Sequence, residues 1–242
     1  MAMALWTEWG ECWRETLNWE PTAAQQEQLQ RLYAGILAGN QRLNLTRLTE
    51  PGEFWEKHLW DSLSGVAALT LEPGRRLVDI GTGGGFPGLA IAIFAPQVEV
   101  TLLDATRKKL VYLAELVSDL GLSNVQTLTG RAEALGQERR YRATWDLALA
   151  RAVGPAAVCA EYGLPLLKVG GMAVLYRGQW SEAESQGLAP ALGQLGGELE
   201  SVSRLETPLT QSLRHCLYVR KVAATPAKFP RAIGIPRQHP LA

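Results

Sequence analysis

The stretch at residues 77–88, which reads LVDIGTGGGFPG, constrains the fold of this chain more than any other. It begins with a short apolar run that is typical of a buried strand. Four glycines in the five positions 81–85 then require a tight turn with bare backbone. The residues after Pro87 are apolar and have high helix propensity. A strand, a glycine loop and a helix in this order present backbone N–H groups and a helix N-terminus to a nucleotide-like ligand.

The residues of this loop leave two kinds of ligand open. Gly83, Gly85 and Gly88 match the G-x-G-x-x-G spacing of dinucleotide-binding folds, although that match alone is weak. Asp79 stands in the strand two residues before the first glycine, where a dinucleotide fold usually has an apolar residue. A carboxylate there can hold the ammonium group of an amino-acid-bearing ligand, directly or through water. In this respect the stretch resembles the first motif of class I S-adenosylmethionine (SAM) methyltransferases.

From residue 76 onward, apolar strands alternate with helices, which predicts an α/β protein with a mainly parallel sheet. After the first strand, four more are predicted at 98–104, 124–128, 145–150 and 172–176. The glycine pair at 170 and 171 is expected to turn the chain into the fifth strand. Two strands at 198–205 and 213–222 are expected to close the sheet. With the resemblance of the glycine stretch, this order implies the Rossmann-like fold of class I SAM methyltransferases.

Residues 1–70 are predicted to be an N-terminal helical extension. Four tryptophans recur there at roughly helical spacing among glutamates: Trp6, Trp9, Trp13 and Trp19. This pattern favours an amphipathic helix that packs on the domain over a binding surface. Thr22 and Gln25 are spaced as a capping box for the next helix. A helix at 54–66 would bring His58 and Asp61 together, as an acid–base pair or as a buried pair that ties the extension to the domain.

Residues 71–223 are predicted to form the ligand-binding domain, and residues 224–242 a basic, proline-rich tail packed on or near it. A chain of 242 residues of which 47% are hydrophobic can bury a full core. No stretch approaches eighteen uninterrupted apolar residues, and the N-terminus carries acids where a signal peptide needs bases. Three scattered cysteines disfavour a metal site or disulfide framework. These features predict a cytoplasmic protein without a membrane partner.

The formal net charge is zero, but the charges are unevenly distributed. The first thirty residues carry five glutamates and one arginine. No acid follows Glu206, whereas six basic residues do: Arg214, Arg220, Lys221, Lys228, Arg231 and Arg237. This asymmetry indicates either an anionic partner near the C-terminal side or a solvated basic tail, with equal weight.

The carboxyl ends of the predicted strands gather the candidate functional residues. Ligands of open α/β sheets bind outside these ends. Asp104 ends the second strand sixteen residues after Gly88, where such folds place an acceptor for ribose hydroxyls. The same edge collects Gly81, the segment 131–133, Arg151 and Arg177. The predicted site is therefore basic, with a separate acid for a ribose.

Methyl transfer from a sulfonium is an in-line displacement, so the nature of the acceptor must be inferred from the surrounding residues. Exocyclic amines of adenine are typically held by an Asn/Asp-Pro-Pro-aromatic loop after the fourth strand, but that place reads DLALARAV and has no such loop. Carbon-5 of cytosine needs a cysteine nucleophile, and Cys159 is expected in the core, about two turns into a helix. An acceptor with its own lone pair remains, such as guanine N7, or else a small molecule.

Seven ordered motifs then give a specific resemblance. They are NxxLNLT at 40–46, HxxDS at 58–62, DIGTGGGFPG, LLDATRKK, GRAE, ARAV and the closing TPAKFPR…GIP. Together they resemble the ribosomal RNA small-subunit methyltransferase G family, also called glucose-inhibited division protein B, from about residue 22 to the end. This resemblance implies SAM-dependent methylation of N7 of one guanine in the decoding-region loop of bacterial 16S rRNA. The implied partner is the small ribosomal subunit or an assembly intermediate.

The resemblance also implies roles for individual residues. For SAM, Gly81 and Phe86 are expected on the methionine and adenosine path, Asp104, Ala105 and Thr106 by the ribose and adenine, and Ala132 and Glu133 by the adenine. Asp79, Gly83 and Gly85 are also expected to bind the cofactor. Arg151 and Arg177 are expected to be catalytic, with Arg151 in the methyl-transfer region and also among the residues that bind the cofactor. Lys108 or Lys109, Arg131 and Arg177 are expected at RNA phosphates. His58 and Asp61 match a family motif without an evident chemical role and are expected to be structural.

One position departs from the family pattern. Tyr176-Arg177-Gly178 stands where the family commonly has Leu-Lys-Gly. Arginine keeps the charge but is planar and bidentate, so Arg177 can act differently if that position lies near the methyl group.

Three other functions compete with RNA methylation on sequence grounds. Asp79 counts against a nicotinamide-dependent oxidoreductase, and Arg151 counts against a non-enzymatic SAM- or RNA-binding regulator. A small-molecule methyltransferase is disfavoured by the many arginines, since phosphate contacts dominate RNA affinity. A monomer is expected. The Trp-rich first twenty residues are expected to fall outside the family likeness.

Overall fold

One seven-stranded sheet forms the centre of the protein. The structure, a computed structural model, describes residues 2–241, with side chains from residue 9 onward. The strands are β1 (Arg76–Ile80), β2 (Glu99–Asp104), β3 (Val125–Thr129), β4 (Trp145–Arg151), β5 (Leu167–Arg177), β6 (Gly197–Glu206) and β7 (Leu213–Lys221). Their order in space is β3-β2-β1-β4-β5-β7-β6. The first five pair in parallel and β7 is antiparallel to both neighbours, which confirms the predicted sheet and its closing pair.

Helices cover both faces of this sheet. They are α1 (Ala2–Leu17), α2 (Ala23–Leu43), α3 (Pro51–Phe54), α4 (Asp61–Ser64), α5 (Gly88–Phe94), α6 (Arg107–Asp119), α7 (Ala132–Gln137), α8 (Ala156–Gly163), α9 (Glu182–Leu195) and α10 (Ile235–Gln238). Successive strand residues point to opposite faces, so Leu77 belongs to a core with α1–α6 and Val78 to a core with α7–α9. Burial on both faces explains why the central strands β1 and β4 are mostly apolar, whereas the edge strands β3 and β6 are more polar and less buried.

The strand order reverses between β1 and β4, because β2 lies on one side of β1 and β4 on the other. Such a switch point leaves a crevice outside the carboxyl ends of the strands. The glycine loop leaves β1 at this point, and the backbone N–H groups of Gly81 and Thr82 donate to Leu103 O at 2.8 and 3.0 Å. The sheet therefore fixes the loop between the ends of β1 and β2.

The tryptophans of the N-terminal extension form part of the core. Trp9 and Trp13 are buried and stack on Trp55, with ring centroids 3.9 and 5.3 Å apart. Trp19 stacks on Trp13 at 5.0 Å, just beyond the end of α1. The predicted packing helix is confirmed for these residues, whereas the side chain of Trp6 lies outside the described residues.

The helix predicted at 54–66 is interrupted. It begins earlier, at α3, and continues into a π-helical segment, Trp55–Trp60, before α4. The wider turn accommodates Trp55 and Trp60, both nearly fully buried, and Glu56, whose carboxylate accepts backbone hydrogen bonds from Leu209 and Thr210. The capping box of Thr22 and Gln25 at the start of α2 is present as predicted.

The glycine pair at 170 and 171 does not precede the fifth strand, as predicted, but lies inside it. Leu167 already pairs with Trp145 on β4, and the register shifts between Trp145 and Leu147. A Cβ on Gly171 would lie 2.9 Å from Lys168 O, so the irregularity in the strand requires a residue without a side chain.

The C-terminal tail packs against α7 and α8. Arg231 forms an ion pair with the fully buried Glu161 at 2.7 Å, and Arg142 donates to four backbone carbonyls, three of them in the tail. The tail contains one short helix, α10, which begins at Ile235-Pro236. None of the helices within residues 2–241 is long and apolar enough to span a bilayer.

Candidate active site

A cleft opens at the carboxyl edge of the sheet, where β1, β2 and β3 end. Its described lining consists of Ile80, Gly81, Leu103, Asp104, Ala105, Thr106, Gly130, Arg131, Ala132, Glu133, Val153 and Tyr162. Seven of these were expected from the sequence: Gly81, Asp104, Ala105, Thr106, Arg131, Ala132 and Glu133. The sheet topology therefore brings these seven residues together on the wall of one cleft, although Gly81 and Glu133 are 52 positions apart in sequence.

Asp79 lies beneath the glycine loop and is 1% exposed. Its Oδ2 accepts hydrogen bonds from Thr82 Oγ1 at 2.6 Å and from the backbone N–H of Gly88 at 2.8 Å. Its Oδ1 is buried and has no hydrogen-bond partner among the described residues. Burial raises the pKa of this carboxyl to about 6, although the two hydrogen bonds oppose the rise. A buried acceptor without a partner fits a cationic group brought by a ligand.

Asp104 fixes the loop on the other side of the cleft. Its Oδ2 accepts from the backbone N–H of Gly83 at 3.0 Å, and its Oδ1 accepts from that of Thr106 at 2.7 Å. Each carboxylate oxygen can accept a second hydrogen bond, so Asp104 still has acceptor capacity for the hydroxyls of a ribose. The residue therefore organises the loop and lines the cleft at the same time.

Gly83, Gly85 and Phe86 do not line the cleft. Gly85 has φ +94°, and a Cβ there would lie 2.4 Å from the side chain of Leu89, so the turn requires glycine for steric reasons. The Phe86 ring stacks on His58 with centroids 4.4 Å apart. These residues shape the loop from below, and their contact with a ligand stays a prediction.

Glu133 is one of the residues that line the cleft, and it is 3% exposed. It accepts a hydrogen bond from the backbone N–H of Gly234 at 3.1 Å, which fastens the C-terminal tail to the cleft wall. Burial and the Glu133 charge raise the pKa of Tyr162 to about 12, so its hydroxyl stays protonated at neutral pH.

Arg151 ends β4 outside the cleft wall and faces the N-terminal helices. Its Nη1 donates to Asp61 Oδ2 at 2.9 Å and to Lys57 O at 2.8 Å, and its Nη2 donates to His58 Nδ1 at 3.3 Å. Asp61 binds a second cation, Arg214, at 3.2 Å. Three of the five N–H donors of Arg151 are thus used within the protein, and two remain for another group.

His58 is held in one tautomer by its neighbours. Because arginine can only donate, Nδ1 of His58 is the acceptor and Nε2 carries the proton, which it donates to Thr46 Oγ1 at 2.6 Å. Burial, and secondly the charge of Arg151, lower the pKa of His58 to about 3. His58 is therefore neutral at all physiological pH values, which supports the structural role expected for the His58–Asp61 motif. Arg151 contacts both residues and belongs to the same cluster.

Arg177 ends β5 beside the loop that follows Arg151. Its Nη1 donates to Gly154 O at 2.8 Å, whereas its Nε is buried without a hydrogen-bond partner among the described residues. Within that loop, Ala152 has φ +57°, a strained conformation for a residue with a side chain. Arg177 therefore fixes a strained loop and keeps an unused donor.

The remaining basic candidates lie at the rim. Lys108 and Arg131 are exposed and Lys109 is half-buried, and none of them forms an ion pair with another side chain that the structure describes. By contrast, four of the six basic residues that follow Glu206 are engaged within the protein, three with acids and Lys221 with carbonyls. The C-terminal excess of positive charge is therefore mostly structural.

The family model described as rRNA small subunit methyltransferase G, or GidB, matches residues 25–214. The ribosomal RNA small subunit methyltransferase G of Trichormus variabilis is 56% identical over 239 residues, which cover 97% of this chain and 98% of that protein. The enzyme of the same name from Synechococcus elongatus is 56% identical over 230 residues, 95% of either chain. The chain belongs to this family.

Membership confirms the resemblance carried by the ordered motifs but corrects its extent. An alignment that covers 97% of the chain cannot exclude twenty N-terminal residues, so the Trp-rich helix belongs to the methyltransferase G likeness. The family model itself begins only at residue 25.

Solved structures agree with the predicted fold. A SAM-dependent methyltransferase from Aquifex aeolicus superposes with a TM-score of 0.53 over 74% of this chain and 97% of its own, at 18% identity. A variant of the 16S rRNA (adenine(1408)-N(1))-methyltransferase from Catenulisporales acidiphilia superposes with a TM-score of 0.54. The superposition covers 62% of this chain and 86% of that enzyme, at 16% sequence identity. Identities this low speak for the fold alone, and they confirm the class I Rossmann-like architecture.

Sequence reasoning missed several members of the site. Val153 and Tyr162 line the cleft, Arg214 shares Asp61 with Arg151, and Gly234 binds Glu133 from the tail. The excess of basic residues after Glu206 was the only signal for Arg214. Cys159 lies one turn, not two, into α8 and is buried as expected, which raises its pKa to about 11.

Proposed function

We propose that this protein transfers a methyl group from SAM to N7 of one guanine in the decoding-region loop of bacterial 16S rRNA. Membership of the methyltransferase G family gives the reaction class. The observation that carries the assignment within this chain is the pair of carboxylates at the glycine loop. Asp79 has one carboxylate oxygen without a hydrogen-bond partner among the described residues. Asp104 can accept further hydrogen bonds on both of its carboxylate oxygens.

The residues of the cleft, together with Asp79 buried beneath the glycine loop, fit SAM chemically. The unpaired Oδ1 of Asp79 suits the ammonium of its methionine part, directly or through water. Asp104 suits the ribose hydroxyls, and the wall of Ala132 and Glu133 suits the adenine. The exposed backbone of Gly81, with φ +69° and Val153 opposite, lets a ligand approach the loop closely.

Bound SAM supplies an electrophilic methyl group on a sulfonium. Guanine N7 has a lone pair and no proton, so the protein needs no general base, and positioning and electrostatics remain its task. Arginine commonly binds guanine at O6 and N7 together, but the reacting N7 must stay free. We therefore assign the unused donors of Arg151 and Arg177 to O6 or to flanking phosphates, as catalytic positioning groups.

The competing functions fit less well. A nicotinamide cofactor carries no ammonium group for the buried Oδ1 of Asp79. Transfer to cytosine carbon-5 needs a thiolate, and a pKa of about 11 keeps Cys159 protonated. A small-molecule acceptor would not require the unpaired cations at the rim. We also propose that the protein works as a cytoplasmic monomer, with rRNA in the small subunit or an assembly intermediate as its partner.

The test is methyl transfer from labelled SAM to 30S particles of a strain that lacks its own enzyme of this type. Cleavage at N7-methylguanine maps the product. One modified guanine in the decoding-region loop is the expected result. Intact SAM binding without incorporation into RNA would refute the substrate, and absence of SAM binding would refute the reaction class.

A further inference from the structure

The segment that leaves α2 is one of the ordered motifs, NQRLNLT, and the proposed reaction assigns it no role. Most of its side chains serve the fold. Asn40 Oδ1 accepts from the backbone N–H of Thr46 at 2.9 Å, and Asn44 ends α2 in the left-handed conformation, φ 48°. Leu45 is buried, and its carbonyl oxygen would lie 2.9 Å from a Cβ on Gly84. The segment is therefore fixed against the glycine loop.

Two side chains of this region remain free. Arg42 and Arg47 are exposed, and neither forms an ion pair or a hydrogen bond within the described residues. Arg47 stands between Thr46, which binds His58, and Leu48, whose N–H donates to Thr46 Oγ1. The backbone that carries these guanidinium groups is thus rigid, while the groups themselves point to solvent.

The packing of α2 on α6 brings Arg42 to the edge of the sheet where the cleft lies. Gln28 near the start of α2 donates to Leu120 O at 3.1 Å, beyond the end of α6. Farther along α2, Gly35 packs on Leu116 and Gly39 on Tyr112. The two helices are therefore antiparallel, and the end of α2 lies beside the start of α6, which directly follows Asp104 and Thr106.

A groove joins the two helix ends. Its lining includes Arg42 and Lys108 together with Leu43, Val111 and Tyr112. One acid, Glu115, also lines the groove, but it forms no ion pair with either cation. Arg107, the first residue of α6, is exposed and likewise without an ion-pair partner in the described chain.

Elsewhere on the surface, some cations are paired with acids and others, such as Arg14, Arg139 and Arg237, are exposed without an ion pair among the described residues. Arg75, Arg140, Lys168 and Arg220 each lie within 3.2 Å of an acid. Several unpaired cations lie together on one rim of the cleft, and this is the pattern expected for a surface that binds a polyanion. Cations that bind phosphates are left without acidic partners in the protein itself.

We infer that Arg42 and Arg47 of the N-terminal extension bind phosphates of the RNA substrate, together with Arg107 and Lys108 at the start of α6. This inference rests on the proposed function. The N-terminal extension then holds the RNA backbone beside the glycine loop. The RNA is therefore bound by the extension as well as by residues at the carboxyl edge of the sheet.

The test uses the full chain with Arg42→Gln and Arg47→Gln combined. Arg139→Gln is the matched control, because Arg139 is exposed and unpaired but lies in the turn before β4, at the opposite edge of the sheet. Binding to protein-free 16S rRNA and methyl transfer are measured across salt concentrations, and SAM affinity by calorimetry.

We expect the double variant to keep its SAM affinity and its kcat at saturating RNA. Its KM for RNA rises by about fivefold per lost contact at 0.1 M salt, and the slope of log affinity against log salt falls by about two. The control behaves as the native protein. An unchanged slope in the double variant would overturn the inference, provided that the native protein methylates RNA. A native protein without RNA methylation would instead refute the proposed function.

A third outcome also counts against the inference. If the double variant binds protein-free rRNA normally and loses affinity only for assembled 30S particles, Arg42 and Arg47 face a ribosomal protein and not phosphates.

Discussion

The carboxylate of Asp61 lies 2.9 Å from the guanidinium of Arg151 and joins the N-terminal helices to the end of β4. Both side chains are largely buried, at 12% and 14% exposure, and Arg214 from β7 binds the other carboxylate oxygen. One acid thus holds two cations next to the predicted methyl-transfer region. The extension is in this way part of the predicted catalytic edge, because it fixes the position of Arg151.

Asp61→Ala is expected to destabilise the protein by about 3 kcal/mol, because removal of one member leaves two largely buried cations without their counter-charge. Urea denaturation measures the free energy of unfolding. Glu206→Ala is the control, since its pair with Arg204 is exposed at 61% and 69% and loose at 3.7 Å. The control should change stability by less than about 0.5 kcal/mol. Equal effects of the two substitutions would contradict the structural role of Asp61.

His58 should make the protein sensitive to acid. Its pKa is about 3 in the folded state and about 6.5 when unfolded, so the unfolded chain binds the extra proton between these values. Stability therefore falls as pH drops below about 6.5, by at most about 1.4 kcal/mol per pH unit from this residue. His58→Gln should flatten that dependence in urea titrations, whereas substitution of the exposed His239 should not.

SAM affinity should depend on the ionisation of Asp79. Because burial raises its pKa to about 6, the carboxylate that attracts the ammonium is lost as pH falls through that value. Calorimetry should show affinity that weakens below pH 6, approaching about tenfold per pH unit. Asp79→Asn should bind weakly and without this dependence between pH 5 and 7. A native affinity that stays constant over the same range would disprove the contact.

Asp104→Ala should weaken SAM binding by about 10- to 100-fold, because it removes charged hydrogen bonds to the ribose and releases Gly83 and Thr106. Asp119→Ala is the matched control, since Asp119 is exposed at the other end of α6. Calorimetry measures the SAM affinity of both variants, and only the Asp104 variant should bind more weakly than the native protein. Unchanged affinity of the Asp104 variant would remove this residue from the cofactor site.

Cys159→Ala should keep the native kcat. The thiol is buried on α8 with a pKa of about 11, so it cannot act as a nucleophile at neutral pH. A stability loss of about 1 kcal/mol is expected from the smaller side chain. Methyl transfer to 30S particles at a temperature where the variant stays folded measures the effect, and a loss of turnover there would revive a covalent mechanism.

Much of the fold was accessible from the sequence because its signals are local. Leu77, Val78 and the glycines that follow specify a strand and a turn within twelve residues, and the capping box of Thr22 and Gln25 spans one helical turn. The irregular parts of the helices and strands could not be predicted from local sequence. The π-helical segment depends on how Trp55 packs on Trp9 and Trp13, and the position of Gly171 inside β5 depends on pairing with β4.

The sequence by itself determined the chemistry of the site, since the order of parallel strands places Gly81, Asp104 and Glu133 at one edge wherever the loops run. Only the tertiary structure decided which charges remain available. Arg151 and Arg214 are held by Asp61, and Arg231 by Glu161, whereas Arg42 and Arg47 have no partner within the described chain. The physical reason is that an ion pair requires two groups within a few ångströms, and the partners here are 70 to 153 residues apart in sequence.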